Sequence, residues 1–152
     1  MALRSRQPLE YQEQIWLIDW RDSVLGQEPR LQWLYHVPNG AAHPSRVVVA
    51  ADGKKTYQSL TAVRLRRMGR KDGVSDLHLP VPMLHRNPER SYHGLWLELK
   101  RVDGKKPADD EVRWLADMLE LGYAADCCYG WVAAARFLCW YLCRDDLAFA
   151  LA

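Results

Sequence analysis

Leu95-Trp96-Leu97-Glu98-Leu99-Lys100 places a leucine at every second position, the period of a β-strand with one face in a core. Leu95, Leu97 and Leu99 point inward, and Trp96, Glu98 and Lys100 share the opposite face. The upstream run Gly73-Val74-Ser75-Asp76-Leu77-His78-Leu79-Pro80-Val81 alternates in the same way, with Leu77, Leu79 and Val81 set against Asp76 and His78. Side chains two apart on a strand project to one side about 6–7 Å from each other, so Glu98 and Lys100 share a local site, and Asp76 joins them if the strands pair. Between the two runs, Pro82 to Gly94 reads as a polar, proline-containing loop that permits pairing in either sense. Two carboxylates at a strand end make a hard-oxygen site suited to Mg²⁺. A neighbouring ammonium can orient a water or stabilise charge developing on a phosphate. Alone, Glu-x-Lys is more often a same-face ion pair worth about 0.2–1 kcal/mol, so its surroundings decide its meaning.

Upstream, Leu9 to Val24 carries Ile15, Leu17, Ile18 and Trp20 among polar residues at helical spacing, until Gly26 and Pro29 end the pattern. This predicts a first helix with Glu10 and Gln14 on one face. Glu13 is an alternative to Glu10, but three helical steps turn about 300°, so only one of them points squarely at a given site. Leu31 to Val37 predicts a strand that runs into the turn Pro38-Asn39-Gly40. Arg46 to Ala51, Asp52-Gly53 and Lys54 to Tyr57 have the form of a β-hairpin with a two-residue turn and a basic tip. Ser59 is a candidate N-cap for a helix that stops at Gly69 and displays Arg64, Arg66 and Arg67. Asp109 can cap a helix from Asp110 to Leu121, Tyr123 to Tyr129 reads as a short strand, and Trp131 to Cys143 as a buried last helix. Helices and strands interleave, which predicts an α/β (α+β) fold around one mixed sheet.

Composition sets bounds. A chain of 152 residues with 49% hydrophobic and 26% charged residues fits one globular domain and excludes disorder and collagen-like structure. The net charge of +2 announces no overall positive field. It is a cancellation, however: His43 to Asp72 holds 8 basic and 2 acidic residues, and Asp103 to Asp126 holds 3 basic and 7 acidic. No apolar stretch of secretory length follows Arg4 and Arg6, and Arg136 interrupts the most apolar region, so a cytoplasmic protein with no membrane segment is expected. Cys127, Cys128, Cys139 and Cys143 lack a C-x2-C knuckle for zinc and are expected to be reduced thiols.

In order and spacing these motifs resemble the virus-type replication-repair nucleases (VRR-NUC), a branch of the PD-(D/E)xK superfamily. The resemblance rests on Glu10 and Gln14, the loop Val37-Pro38-Asn39-Gly40, the basic helix through Arg64, Arg66 and Arg67, Gly73-Val74-Ser75-Asp76-Leu77, His93-Gly94-Leu95-Trp96-Leu97-Glu98-Leu99-Lys100, and Leu121-Gly122-Tyr123. It implies a single domain over residues 1–152, with a core from 9 to 143: a restriction-endonuclease-like PD-(D/E)xK fold with a mixed central sheet flanked by helices and an inserted basic hairpin at 46–57. It also implies catalytic roles for Glu10, Asp76, Glu98 and Lys100. Asp76, Glu98 and the Leu99 carbonyl would ligate Mg²⁺ or Mn²⁺, with Glu10 as a further acidic member, while Gln14, Glu111 and His78 stand behind them. Ser75 occupies the place of the superfamily's proline, and Glu111 the place of a common glutamine.

The activity implied is hydrolysis of DNA phosphodiester bonds by a structure-specific endonuclease. Stand-alone members of the family resemble dimeric resolvases of four-way (Holliday) junctions, so branched DNA and a homodimer are the expected partners, without a membrane or a small-molecule cofactor. Candidate phosphate contacts are Arg46, Lys54, Lys55, Arg64, Arg66, Arg67, Arg70 and Lys71, with Asn39 in the loop, since neutralising phosphates releases counterions without reading bases. A flap or other branched-DNA nuclease is the alternative within the enzyme class. Outside it stand a non-catalytic DNA-binding protein and an interaction subunit that uses the C-terminal helix with Trp140 and Phe149.

Overall fold

Leu97 lies at the centre of the molecule, flanked on both sides by strands. The structure, a computed structural model, describes residues 8–38, 46–49, 55–58, 60–84 and 91–151. In chain order the elements are α1 (Glu10–Val24), a 3-10 turn (Pro29–Trp33), β1 (Tyr35–His36), β2 (Arg46–Val49), β3 (Lys55–Gln58), α2 (Leu60–Arg67), β4 (Leu77–Leu79), β5 (Met83–Leu84), β6 (Ser91–Tyr92), β7 (Leu95–Lys100), α3 (Asp109–Glu120), β8 (Ala124–Tyr129), α4 (Trp131–Leu142) and α5 (Asp145–Phe149). The main sheet runs β1-β4-β7-β8. β1, β4 and β7 are antiparallel neighbours, and β8 pairs parallel with β7, so the sheet is mixed and the fold is α+β.

The alternation read from the sequence sets the two faces of this sheet. Leu77, Leu79, Leu95, Leu97 and Leu99 are fully buried in one cluster with Leu17 of α1 and Ala134, Ala135 and Leu138 of α4. On the other face Trp96 meets Trp114 of α3 edge to face, with ring centroids 5.3 Å apart. Helices α1 and α4 therefore cover the leucine face and α3 covers the tryptophan face, the layering that a half-buried strand pattern demands. Among the described residues no helix is long and apolar enough to cross a membrane.

Four readings are corrected. Leu31 to Val37 is a 3-10 turn and then a two-residue strand: Leu31 and Leu34 are each 1% exposed, while Trp33 and Tyr35 face solvent, a period of three that loose alternation masks. The interval from Pro82 to Gly94 is not all loop, since Met83 pairs with Tyr92 and Leu84 with Ser91. Helix α3 starts one residue early, with Ala108 as N-cap, because the Glu111 carboxylate reaches back to accept the Ala108 N–H at 2.8 Å. Finally, α5 follows α4 after Cys143 turns left-handed (φ 58°). The hairpin reading holds over the described residues: β2 and β3 pair from Arg46↔Gln58 to Val49↔Lys55 as a separate two-stranded sheet. Its turn at Asp52-Gly53, with Lys54, Asn39 and the Ser59 N-cap, lies outside the described residues.

Candidate active site

Where β4 begins, Asp76 faces β7. The register Leu77↔Leu97 puts Asp76 opposite Glu98, and the Leu99 N–H donates to the Asp76 carboxylate at 3.0 Å. The backbone behind Asp76 is pinned by β1, whose Val37 N–H donates to the Asp76 carbonyl at 2.7 Å. Before it, Gly73 takes φ +81°, and a Cβ there would lie 2.4 Å from the Asp110 carbonyl. The chain thus passes over the start of α3 through a conformation and a gap that suit only glycine.

Glu98 is 2% exposed, and its carboxylate accepts from the Lys100 ammonium at 2.6 Å. Lys100 donates a second time, to Glu111 at 3.0 Å. The ammonium is therefore fixed between a strand carboxylate and a helix carboxylate, as charge-assisted hydrogen bonds in a partly buried setting can do. Glu10, at the first turn of α1, completes the arrangement: a cleft of about 300 Å³ is lined by Glu10, Asp76, Glu98, Lys100 and Glu111, with Arg70 and Asp72 at its rim.

Crowding of carboxylates sets the protonation of the cleft. Burial, and next the charge of Asp76, push Glu98 up to about 8. Burial also raises Asp76, against the opposing pull of the Leu99 N–H and Lys100, and raises Glu10. Burial acts upward on Glu111 as well, but the Ala108 N–H and the Lys100 ammonium hold it below the ordinary carboxylate range. Lys100 loses hydration through burial yet is kept firmly protonated by Glu98 and Glu111. This is a site short of positive charge, the condition that a divalent cation relieves.

The donor set fits such a cation. Within a strand the N–H and C=O of one residue point to the same edge. The Leu99 N–H is turned to Asp76, whereas the Lys100 carbonyl is taken on the β8 side by the Gly130 N–H at 2.8 Å. The Leu99 carbonyl therefore faces the Asp76 edge, past the end of β4. Asp76, Glu98 and that carbonyl are the oxygen donors Mg²⁺ or Mn²⁺ prefers, leaving room for water and phosphate. Among the described residues no group of three or more His, Cys, Asp or Glu side chains is placed to hold a metal ion, so the donors here are two carboxylates and a backbone carbonyl.

Other residues named from the sequence lie elsewhere. Glu13 is 1% exposed, and its carboxylate accepts the Trp131 N–H at 2.9 Å at the start of α4. Gln14 lines a separate groove with Tyr11, Ile18 and His36. His78 stacks on Trp96 with centroids 4.0 Å apart, and its Nδ1 meets the Tyr35 hydroxyl at 2.9 Å. Burial lowers its pKa, so it belongs to an aromatic layer beside the cleft. Ser75 is fully buried, and among the described residues its hydroxyl has no hydrogen-bond partner, which agrees with a position where backbone shape matters and a side-chain polar group does not. Of the basic residues, Arg70 reaches the rim, Arg66 pairs with Asp72 at 3.0 Å, and Lys71 lies 5.2 Å over the Trp114 ring. Arg64 and Arg67 are exposed on α2, and Arg46 and Lys55 belong to the hairpin strands.

Sequence reasoning missed Asp72 and Asp110, which line the cleft, and a third neighbour, Cys127. Cys127 of β8 is in register with Glu98, and burial, with Glu98 nearby, holds its thiol up to about 11. Only the parallel pairing of β7 with β8, which sequence does not specify, brings it there.

No family model and no curated protein matches this chain. Among solved structures, one described as a "VRR_NUC domain protein" has the same fold, with a TM-score of 0.65, 19% identity and 90% of each chain covered. At that identity the likeness establishes the fold alone.

Proposed function

We propose that the chain is a Mg²⁺- or Mn²⁺-dependent endonuclease that hydrolyses phosphodiester bonds in branched DNA, acting as a dimeric resolvase of four-way junctions. The observation that carries this reading is the convergence of Asp76 from β4 with Glu98 and Lys100 from β7 in one cleft, on a fold shared with a VRR_NUC domain protein. Asp76, Glu98 and the Leu99 carbonyl would hold the cation, and Glu10 would add a further acidic oxygen from the cleft lining. A divalent cation held there supplies a Lewis acid beside the scissile phosphate and eases deprotonation of the attacking water.

The protein's own groups do the rest. Lys100, fixed by two carboxylates, presents a proton donor to the oxygen on which negative charge grows in the transition state. Glu111 is a positioning residue, since it touches Lys100 and the Ala108 backbone and holds the ammonium in place. Arg64, Arg66 and Arg67 supply phosphate contacts outside the cleft, and Arg70 supplies one at its rim.

A symmetric four-way substrate calls for two sites, which a two-fold homodimer provides. The test is sedimentation of the purified protein, together with its cleavage of four-way, flap and linear DNA of matched sequence in Mg²⁺. The resolvase reading requires a dimer that cuts the four-way junction at least about tenfold faster than linear duplex. A monomer, or equal rates on junction and linear DNA, contradicts it.

A further inference from the structure

Between β7 and α3 the chain reads Arg101-Val102-Asp103-Gly104-Lys105-Lys106, a basic stretch with no part in the chemistry above. The Gly104 N–H donates to the Arg101 carbonyl at 2.9 Å and closes a tight turn. A Cβ on Gly104 would lie 2.8 Å from that carbonyl and 3.4 Å from Lys100 Cβ. The turn is therefore folded back against the base of Lys100, through a gap that a larger residue would close. Asp103 grips the Arg101 guanidinium with two hydrogen bonds, both 3.0 Å, so that cation is spent inside the turn.

Lys105 and Lys106 are different. Both are exposed, and among the described residues neither makes an ion pair. Both line a groove of about 460 Å³ together with Glu10, Lys100 and Glu111. The same three residues line the candidate active-site cleft, so groove and cleft share these residues. At the far end of the cleft, Asp72 already engages Arg66 and lies 3.8 Å from Arg70. The uncommitted cations that adjoin Lys100 are thus those of the β7–α3 turn. A flexible ammonium is a strongly hydrated point charge suited to meeting a phosphate without reading a base.

We propose that Lys105 and Lys106 form a phosphate-binding rim that seats the backbone of one DNA strand on one side of the scissile phosphate, opposite the α2 and Arg70 side. The proposal rests on the nuclease reading and adds the path of the strand through the site. The first measurement is binding of a four-way junction in EDTA by protein carrying Asp76→Asn, with and without Lys105→Ala and Lys106→Ala, from about 50 to 200 mM salt. Losing two phosphate contacts should lower the slope of log affinity against log salt by about 1.5–2 and weaken binding about tenfold at low salt. The second is cleavage in Mg²⁺ by the Lys105→Ala/Lys106→Ala protein, where KM should rise about tenfold while kcat stays within about twofold. The third is a scan of single methylphosphonates through the substrate. Neutral linkages on the rim side should slow the wild type and leave the double variant indifferent, while those on the α2 side should slow both proteins alike. If the wild type cuts DNA but the double variant matches it in slope, KM and methylphosphonate response, the rim is overturned and the nuclease reading stands. A wild type that neither binds nor cuts branched DNA overturns that reading and the rim with it.

Discussion

Glu10 and Glu13 sit three residues apart on α1 and serve different partners: Glu10 lines the cleft and Glu13 accepts from the Trp131 N–H. Helical geometry restricts a site to one of the two, but which one depends on the rotation of α1 about its axis, and the burial of Leu17 and Val24 against α4 and the sheet sets that. The choice was thus only half legible in the sequence. Glu13 is spent on the Trp131 N–H at the start of α4, where a carboxylate meets an unpaired donor and the positive end of the helix. Glu13→Ala should lower unfolding free energy by about 1–3 kcal/mol in urea, with the cleavage rate of the folded protein retained. Glu98 predicts the reverse trade. Its folded pKa, about 8, lies above its unfolded value. Between about pH 5 and 8 the unfolded chain therefore releases a proton that the folded chain keeps, and metal-free stability falls as pH rises. Glu98→Gln should raise the Tm of the metal-free protein at pH 8, by about 2–4 °C for each kcal/mol relieved, with the gain fading toward pH 5. Added Mg²⁺ should stabilise the wild type at pH 8 and leave the variant unmoved; a variant no more stable than wild type at pH 8 removes the crowding argument. Glu111, which meets Lys100 and the Ala108 N–H through its side-chain oxygens, should tolerate Glu111→Gln with less than about a tenfold fall in kcat. Lys100→Met should cost about 10²–10³, read from single-turnover cleavage.

At the scale of elements, β4 and β7 were legible because strict alternation fixes a face, and a face in turn fixes which residues share it. That pattern puts Glu98 and Lys100 on one face, and the pairing of β4 with β7 brings Asp76 to them. Leu31 to Tyr35 misled because a burial period of three over a few residues resembles loose alternation. Pairings between distant segments, β7 with β8 and β5 with β6, leave no local signature, so Cys127 beside Glu98 was invisible. The basic helix α2 was legible as a helix but not as a surface, since Arg66 is partly engaged by Asp72. Changing Arg64, Arg66 and Arg67 together to alanine should weaken junction binding and reduce its salt slope by up to about 2–3. An unchanged slope takes α2 out of the interface. The lead into β4 makes a separate prediction: Gly73→Ala should destabilise the fold by at least about 1 kcal/mol in urea, because positive φ and the Asp110 carbonyl both oppose a side chain there.

Across the whole molecule, the net charge of +2 is divided so that the basic segment through α2 and the turn after β7 flank a cleft of carboxylates. Burial of those carboxylates is costly without a cation, and a cation in turn brings phosphate into a pocket that would otherwise repel it. The central claim is that Asp76 and Glu98 hold a divalent metal that makes this cleft a DNA-cutting site. The most direct measurement is single-turnover cleavage of an end-labelled four-way junction by wild type and Asp76→Asn, each in Mg²⁺ and in EDTA. Asn keeps an oxygen for the Leu99 N–H but loses the charge, so the fold survives and the ligand does not. The account predicts cleavage by wild type in Mg²⁺ alone, with a loss of at least about 10²-fold in the variant. Equal cutting by the two proteins, or cutting by wild type that persists in EDTA, contradicts it.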